Sequence, residues 1–165
     1  TASISLITPA IWYGAANASF EARLKLNTVA STFIVEAGFV DTVPASSAPV
    51  VSDIDTPAFA ATSANCAVFH INNAQTHTSG FTTPAADTYM TIKVQLLSDP
   101  DETMKSKAYL WINGKLVAKH DTDTDGHVNG DVGLAGWIYV QTVAAAVKVA
   151  TVDYIRMSQD RNATE

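Results

Sequence analysis

Three stretches decide the fold of this chain: LWINGKLV (Leu110 to Val117), GWIYVQT (Gly136 to Thr142) and VKVATVDYIRM (Val147 to Met157). Each is dense in β-branched and aromatic residues, which favour a pleated, half-buried surface. Asn113-Gly114 supplies the strongest short hairpin signal, because both residues tolerate positive φ. A two-residue turn there sets Trp111 opposite Leu116 and Tyr109 opposite Ala118. The other two stretches read as the closing strand pair.

Working outward, Tyr89 to Leu97 and CAVFHIN (Cys66 to Asn72) read as strands, and FIVEAGFV (Phe33 to Val40) as a strand with most side chains covered. Phe20, Ala22, Leu24 and Leu26 alternate with Glu21, Arg23 and Lys25, a period of two with one wet face. Ser3 to Ile7 is a short β-prone run. Asp41 to Pro57 holds three prolines among Ser, Ala and Asp and reads as a long surface connection. No helical pattern exceeds about two turns. Many short strands separated by turn signals predict an all-β, two-sheet antiparallel β-sandwich. One domain spans 1–165, with 1–17 as an N-terminal arm or loop and 158–165 as an extended C-terminal tail.

Charged residues make up 16% of the 165, against about 25% in an average soluble domain. That composition fits either a soluble domain rich in Thr and Ser or a surface partly covered in an assembly, since interface cores are depleted in charge. The net charge is −6 and none of the ten Lys and Arg residues forms a run, which argues against a nucleic-acid partner. No apolar stretch approaches the ~20 residues of a membrane helix, so no membrane partner is expected. The single cysteine, Cys66, cannot make an intrachain disulfide.

Catalytic signals are sparse. There is no G-x-S-x-G, H-E-x-x-H, C-x-x-C or phosphate-cradling glycine loop. His70, His77, His120 and His127 read as turn, strand-end or solvent-facing residues. Asp121-Thr122-Asp123-Thr124-Asp125-Gly126, with Asn129 beyond it, matches the first half of a calcium loop, whose alternating carboxylates gather oxygens around one point. Val132 stands where the bidentate Glu of such a loop belongs. The segment is therefore read as a solvated acidic turn, with calcium on Asp121, Asp123, Asp125 and Asn129 as the alternative and no other cofactor expected.

Aromatic residues offer a second candidate. Trp137 and Tyr139 share one strand face, as do Tyr109 and Trp111, and aromatic faces on a sheet are platforms for stacking sugar rings. Trp111, opposite Leu116, is read as interior. Trp12 and Tyr13, in a glycine-containing loop, are read as the exposed pair.

The order of the closing pieces resembles laminarinase-type glycoside hydrolases and their non-catalytic relatives, in which a hairpin is followed by a last strand like VDYIRM. That resemblance implies a concanavalin-like jelly roll. Those enzymes carry a Glu-x-Asp-x-x-Glu strand, because a retaining mechanism needs two carboxyls about 5 Å apart. The glutamates here are Glu21, Glu36, Glu102 and Glu165, none with another four or five positions away. Over residues 18 to 157, the order FEARLKL, FIVEAGFVD, CAVFHIN, WING and VDYIRM is similar to a group of tailed-bacteriophage virion proteins on the same fold. This likeness implies a non-enzymatic capsid decoration or head or tail fibre component on the extracellular virion surface. It would dock on a repeated lattice such as the major capsid protein and self-associate. The alternative is a carbohydrate-binding module or lectin-like adhesion domain that holds a glycan through Trp12, Tyr13, Trp137 and Tyr139.

Overall fold

Alternation along Ser19–Leu26 sets the geometry of the sandwich. The computed structural model describes residues 2–27, 33–41, 59–62, 66–72, 85–101, 105–120, 128–142 and 149–161. Within it, Phe20, Ala22, Leu24 and Leu26 point into the core while their neighbours stay half-buried. Tyr89–Ser98 and Lys105–Ile112 repeat the pattern. A strand with one dry face needs a second layer over it.

The strands, in chain order, are β1 (Ala2–Ile7), β2 (Ser19–Leu26), β3 (Phe33–Val40), β4 (Phe59–Thr62), β5 (Cys66–Asn72), β6 (Tyr89–Ser98), β7 (Lys105–Ile112), β8 (Lys115–His120), β9 (Val128–Asn129), β10 (Ala135–Thr142) and β11 (Ala150–Ser158). They build two antiparallel sheets, β1-β10-β3-β5-β4 and β11-β2-β6-β7-β8, with β9 also paired to β7. The chain is a two-sheet jelly-roll sandwich. Val35, Ala37, Phe39, Ala67 and Phe69 of the first sheet pack on Phe20, Ala22, Leu24, Ile92, Val94 and Leu110 of the second. Phe20 meets Phe39 edge to face, with ring centroids 6.0 Å apart. Each large apolar side chain buried in this layer contributes roughly 1.5–3 kcal/mol relative to exposure.

The hairpin forms at Asn113 and Gly114, with φ of 50° and 78°. Trp111 lies opposite Leu116, but a register shift between Leu110 and Trp111 moves Ala118 onto Leu110 and sets Tyr109 opposite Lys119. The closing strands do not pair with each other. β10 already has β1 and β3 on its two sides, so the chain crosses to the other sheet, where β11 takes the free edge of β2. β4 was not foreseen, because FAAT is short and half alanine. The Asp41 to Pro57 connection lies, apart from Asp41, outside the described residues.

Neither end is loose where it is described. Ala2–Ile7 is a full sheet member along β10. Beyond it, Trp12 and Leu134 exchange backbone hydrogen bonds of 3.1 and 2.7 Å. Past β11, the Gln159 side chain accepts from the Tyr13 N–H at 3.0 Å and donates to the Ile11 carbonyl at 3.3 Å. The Asp160 carboxylate accepts from Asn17 Nδ2 at 2.8 Å, and the Asp160 N–H donates to the Ala16 carbonyl at 2.7 Å. The tail thus ties down the first loop.

Gly38, mid-strand in β3, has φ of 151° and faces the backbone of β5, where an added Cβ would run into the Ala67 carbonyl oxygen. Gly38→Ala is therefore expected to destabilise the fold by more than about 2 kcal/mol, read as a lowered midpoint in urea.

Candidate functional site

The outer face of the six-stranded sheet carries a groove of about 550 Å³ lined by Glu21, Thr91, Lys93, Trp111, Asn113 and Gly114. Its geometry follows from register. Arg156 of β11, Glu21 of β2, Lys93 of β6, Trp111 of β7 and Leu116 of β8 are successive cross-strand partners, so they form one row across the sheet. Charge alternates along this row and ends on an indole. Trp111 is half-buried, and its indole N–H meets no acceptor among the described residues.

The parity of β7 places Trp111 here. Ala108, Leu110 and Ile112 face the core, which turns Lys105, Lys107, Tyr109 and Trp111 outward. Trp111 is thus not interior, as its pairing with Leu116 suggested, because both partners sit on the outer face and Leu116 is itself exposed. The lysines at alternate positions carried the signal in the sequence: a strand face bearing Lys105 and Lys107 is the wet one.

The groove walls are held in place. Tyr154 Oη donates to Glu21 Oε1 at 2.7 Å. That hydrogen bond raises the phenol above its ordinary value, and lesser contributions come from desolvation and from the Glu21 charge. Asn113 is fixed by two hydrogen bonds to one residue: Thr91 N–H donates to Asn113 Oδ1 at 2.9 Å, and Asn113 N–H donates to the Thr91 carbonyl at 2.9 Å. Farther along the sheet, Arg23 pairs with Asp153 at 2.6 Å and lies 4.4 Å over the Tyr89 ring. That pair is solvent-exposed and contributes little to stability. An indole beside an ammonium that is itself next to a carboxylate, with a hydroxyl and an amide also lining the groove, fits a neutral polyhydroxylated ring: C–H groups against the indole, hydroxyls against the polar groups.

The other aromatic pair sits on the outer side of the five-stranded sheet. Trp137 and Tyr139 stack with centroids 5.6 Å apart and planes 6° from parallel. Trp137 Nε1 donates to Glu36 Oε2 at 3.1 Å, and Glu36 is fully buried. Burial pushes the Tyr139 phenol up; Ser3 beside it pulls the other way without a well-formed hydrogen bond, and the Glu36 charge adds to the rise. With exposures of 2% and 1%, Trp137 and Tyr139 leave no ring face open to a ligand. Trp12 is half-buried against the core, while Tyr13 is exposed beside the tail clamp. The structure brings Trp137 and Tyr139 together and leaves Trp12 and Tyr13 apart from them in the first loop.

Asp121, Asp123 and Asp125 lie outside the described residues. Asn129 is exposed on β9, paired with Lys105. Among the described residues, no group of three His, Cys, Asp or Glu could hold a metal ion, and no helix is long and apolar enough to cross a membrane.

No protein-family model matches this chain, and no curated protein matches it by sequence. Solved structures do. The carbohydrate recognition domain of Emp47p is similar over 96% of this chain and 75% of its own, with a TM-score of 0.53 and 8% identity. A human SPRY domain (TM-score 0.41, 11% identity, covering 91% and 83%) and the alginate lyase Aly36B (0.41, 9%, 95% and 78%) are more distant likenesses. The Emp47p likeness shows a shared lectin-type jelly-roll fold.

The raised Tyr154 phenol yields a pH prediction. Its hydrogen bond to Glu21 stabilises the fold fully below the ordinary tyrosine pKa of about 10, and this is lost as pH rises through the higher folded value. Below about pH 10 the urea midpoint of Tyr154→Phe should lie below wild type by a constant amount, and the gap should close as the pH rises above that value.

Proposed function

We propose that this chain is a non-enzymatic structural component of a virion surface, a capsid decoration or head or tail fibre protein of a tailed bacteriophage. The observation that carries the reading is the placement of the two strand glutamates. Glu21 lies on the outer face of one sheet and Glu36 on the outer face of the other, so both layers of the sandwich separate them. A retaining glycosidase needs its two carboxyls about 5 Å apart across a single cleft. These two cannot form that pair. Among the described residues the sandwich thus offers Glu21 and Glu36 no such pairing, unlike the laminarinase-type hydrolases that its closing strands resemble.

The pieces that resemble phage virion proteins support the reading further, since FEARLKL, FIVEAGFV, CAVFHIN, the WING hairpin and VDYIRM all fall on strands, β2, β3, β5, β7 to β8 and β11. Function then resides in surfaces. Many copies docked on a repeated lattice such as the major capsid protein convert weak single contacts into firm attachment through effective concentration. Recombinant protein added to particles lacking it should sediment with them at a saturating, symmetry-fixed stoichiometry. Protein that stays in the supernatant at saturation would sink the proposal.

The Trp111 groove favours one second reading, a glycan-binding adhesion domain, which the Emp47p likeness supports only as a shared scaffold. On this reading Trp111→Ala removes binding on a glycan array by at least ~10-fold while the protein still unfolds in one cooperative transition in urea. A wild-type protein silent on the array would leave the groove without a sugar.

A further inference from the structure

Sheet edges expose unpaired N–H and C=O groups, and proteins guard them with short strands, charges, prolines or bulges. Among the described residues, three of the four edge strands carry such guards. β4 has four residues. β8 bears Lys115 and Lys119. β11 bears Asp153 and Arg156 and breaks register between Val152 and Tyr154.

β1 carries none of them. It runs ASISLI over six residues without charge, proline or bulge, paired in unbroken register with β10 and with no second strand partner among the described residues. Ile4, Leu6 and Ile7 are 67%, 46% and 43% exposed. Ile4 and Leu6 project from the sheet toward the inter-sheet layer, where they line an open groove of about 230 Å³ with Ile138, Val140, Val149, Ala150 and Val152. The groove is thus shared by residues of β1, β10 and β11 together with Val149.

We infer that β1 pairs with β1 of a second copy, antiparallel about a two-fold axis through Ser5, joining the five-stranded sheets of two protomers into one continuous sheet. Two observations select a second copy as the occupant. The first is self-complementarity. With Ser5 opposite Ser5, the same axis sets Ile4 opposite Leu6 and keeps every side chain on its own face, because the register preserves strand parity. Each copy then extends the other's apolar layer.

The second is charge. The chain carries a net charge of −6, yet residues 1 to 20 contain no Asp, Glu, Lys, Arg or His. Two copies can meet here without like charges opposing each other. The expected complex is a moderate-affinity dimer.

This inference stands apart from the virion reading, and its test uses no particle. In analytical ultracentrifugation the full chain should be a dimer in the micromolar range. Ser5→Lys and Ser5→Glu each set like charges face to face on the axis, and each should weaken the dimer at least ~10-fold while keeping the wild-type urea midpoint. Mixed in equal amounts they should re-form a heterodimer, an outcome that only pairing through Ser5 produces and that shows both variants are folded. Lys119→Glu on the guarded edge β8 should remain dimeric. A monomeric wild type, an unchanged dimer in either Ser5 variant, or failure of the mixture to pair would each overturn the inference. Capture of a foreign extended peptide by β1 in place of self-pairing would do so as well.

Discussion

The edge-to-face contact of Phe20 with Phe39 sits where the two sheets meet, and the parity of every other strand depends on it. With period-two side chains, fixing one inward residue on a strand fixes all of them, and pairing transmits the choice to each neighbour. From Phe20 inward follow Ala22 and Leu24; from Phe39, Ala37 and Val35; and across the ladders Ile92, Val94, Leu110, Ala67 and Phe69. A one-residue slip in β2 would send Glu21, Arg23 and Lys25 into the core. The outer faces are therefore as tightly specified as the inner layer, although fewer contacts hold them.

Those two outer faces have opposite characters. On the six-stranded sheet, Arg156, Glu21 and Lys93 alternate in sign and leave the Trp111 groove open. On the five-stranded sheet the row Ser5, Tyr139, Glu36 and His70 runs through the register, with Glu36 and Tyr139 buried and Trp137 donating into the carboxylate. A buried carboxylate needs such donors, because removing one partner from a charged hydrogen bond leaves a desolvated group behind. Low overall charge goes with this asymmetry: one face keeps its ions in water, and the other holds a single acid in a dry setting.

Strands with clean alternation were legible from sequence, as were the Asn113-Gly114 turn and the sandwich class. Sheet membership was not. VDYIRM and GWIYVQT carry the same local signal whether or not they are neighbours, and what separates them is the occupancy of β10 by β1 and β3, a non-local fact. β4 escaped because four residues with two alanines have little intrinsic preference; its pairing to β5 supplies what propensity lacks. The candidate site was half legible. Trp111 was singled out but assigned to the core on the strength of its partner, whereas Lys105 and Lys107 on the same face mark it as outward. Trp137 and Tyr139 were correctly placed on a common face, but nothing local distinguishes a covered outer face from an open one.

The pairing of β1 with β10 and of β11 with β2, together with the Asp160 to Asn17 clamp, means that the first and last strands both wait on partners from the far end of the chain. Loop-closure entropy has to be met before those ladders return any energy, so contact order is high and folding should be slow for a domain of this size. During synthesis, β2 leaves the ribosome long before β11 can cover its edge, and β1 likewise before β10. Throughout that interval the β4–β5, β6–β7 and β7–β8 ladders are the local pairings available, and the uncharged ASISLI segment is the stretch most in need of shielding from other nascent chains.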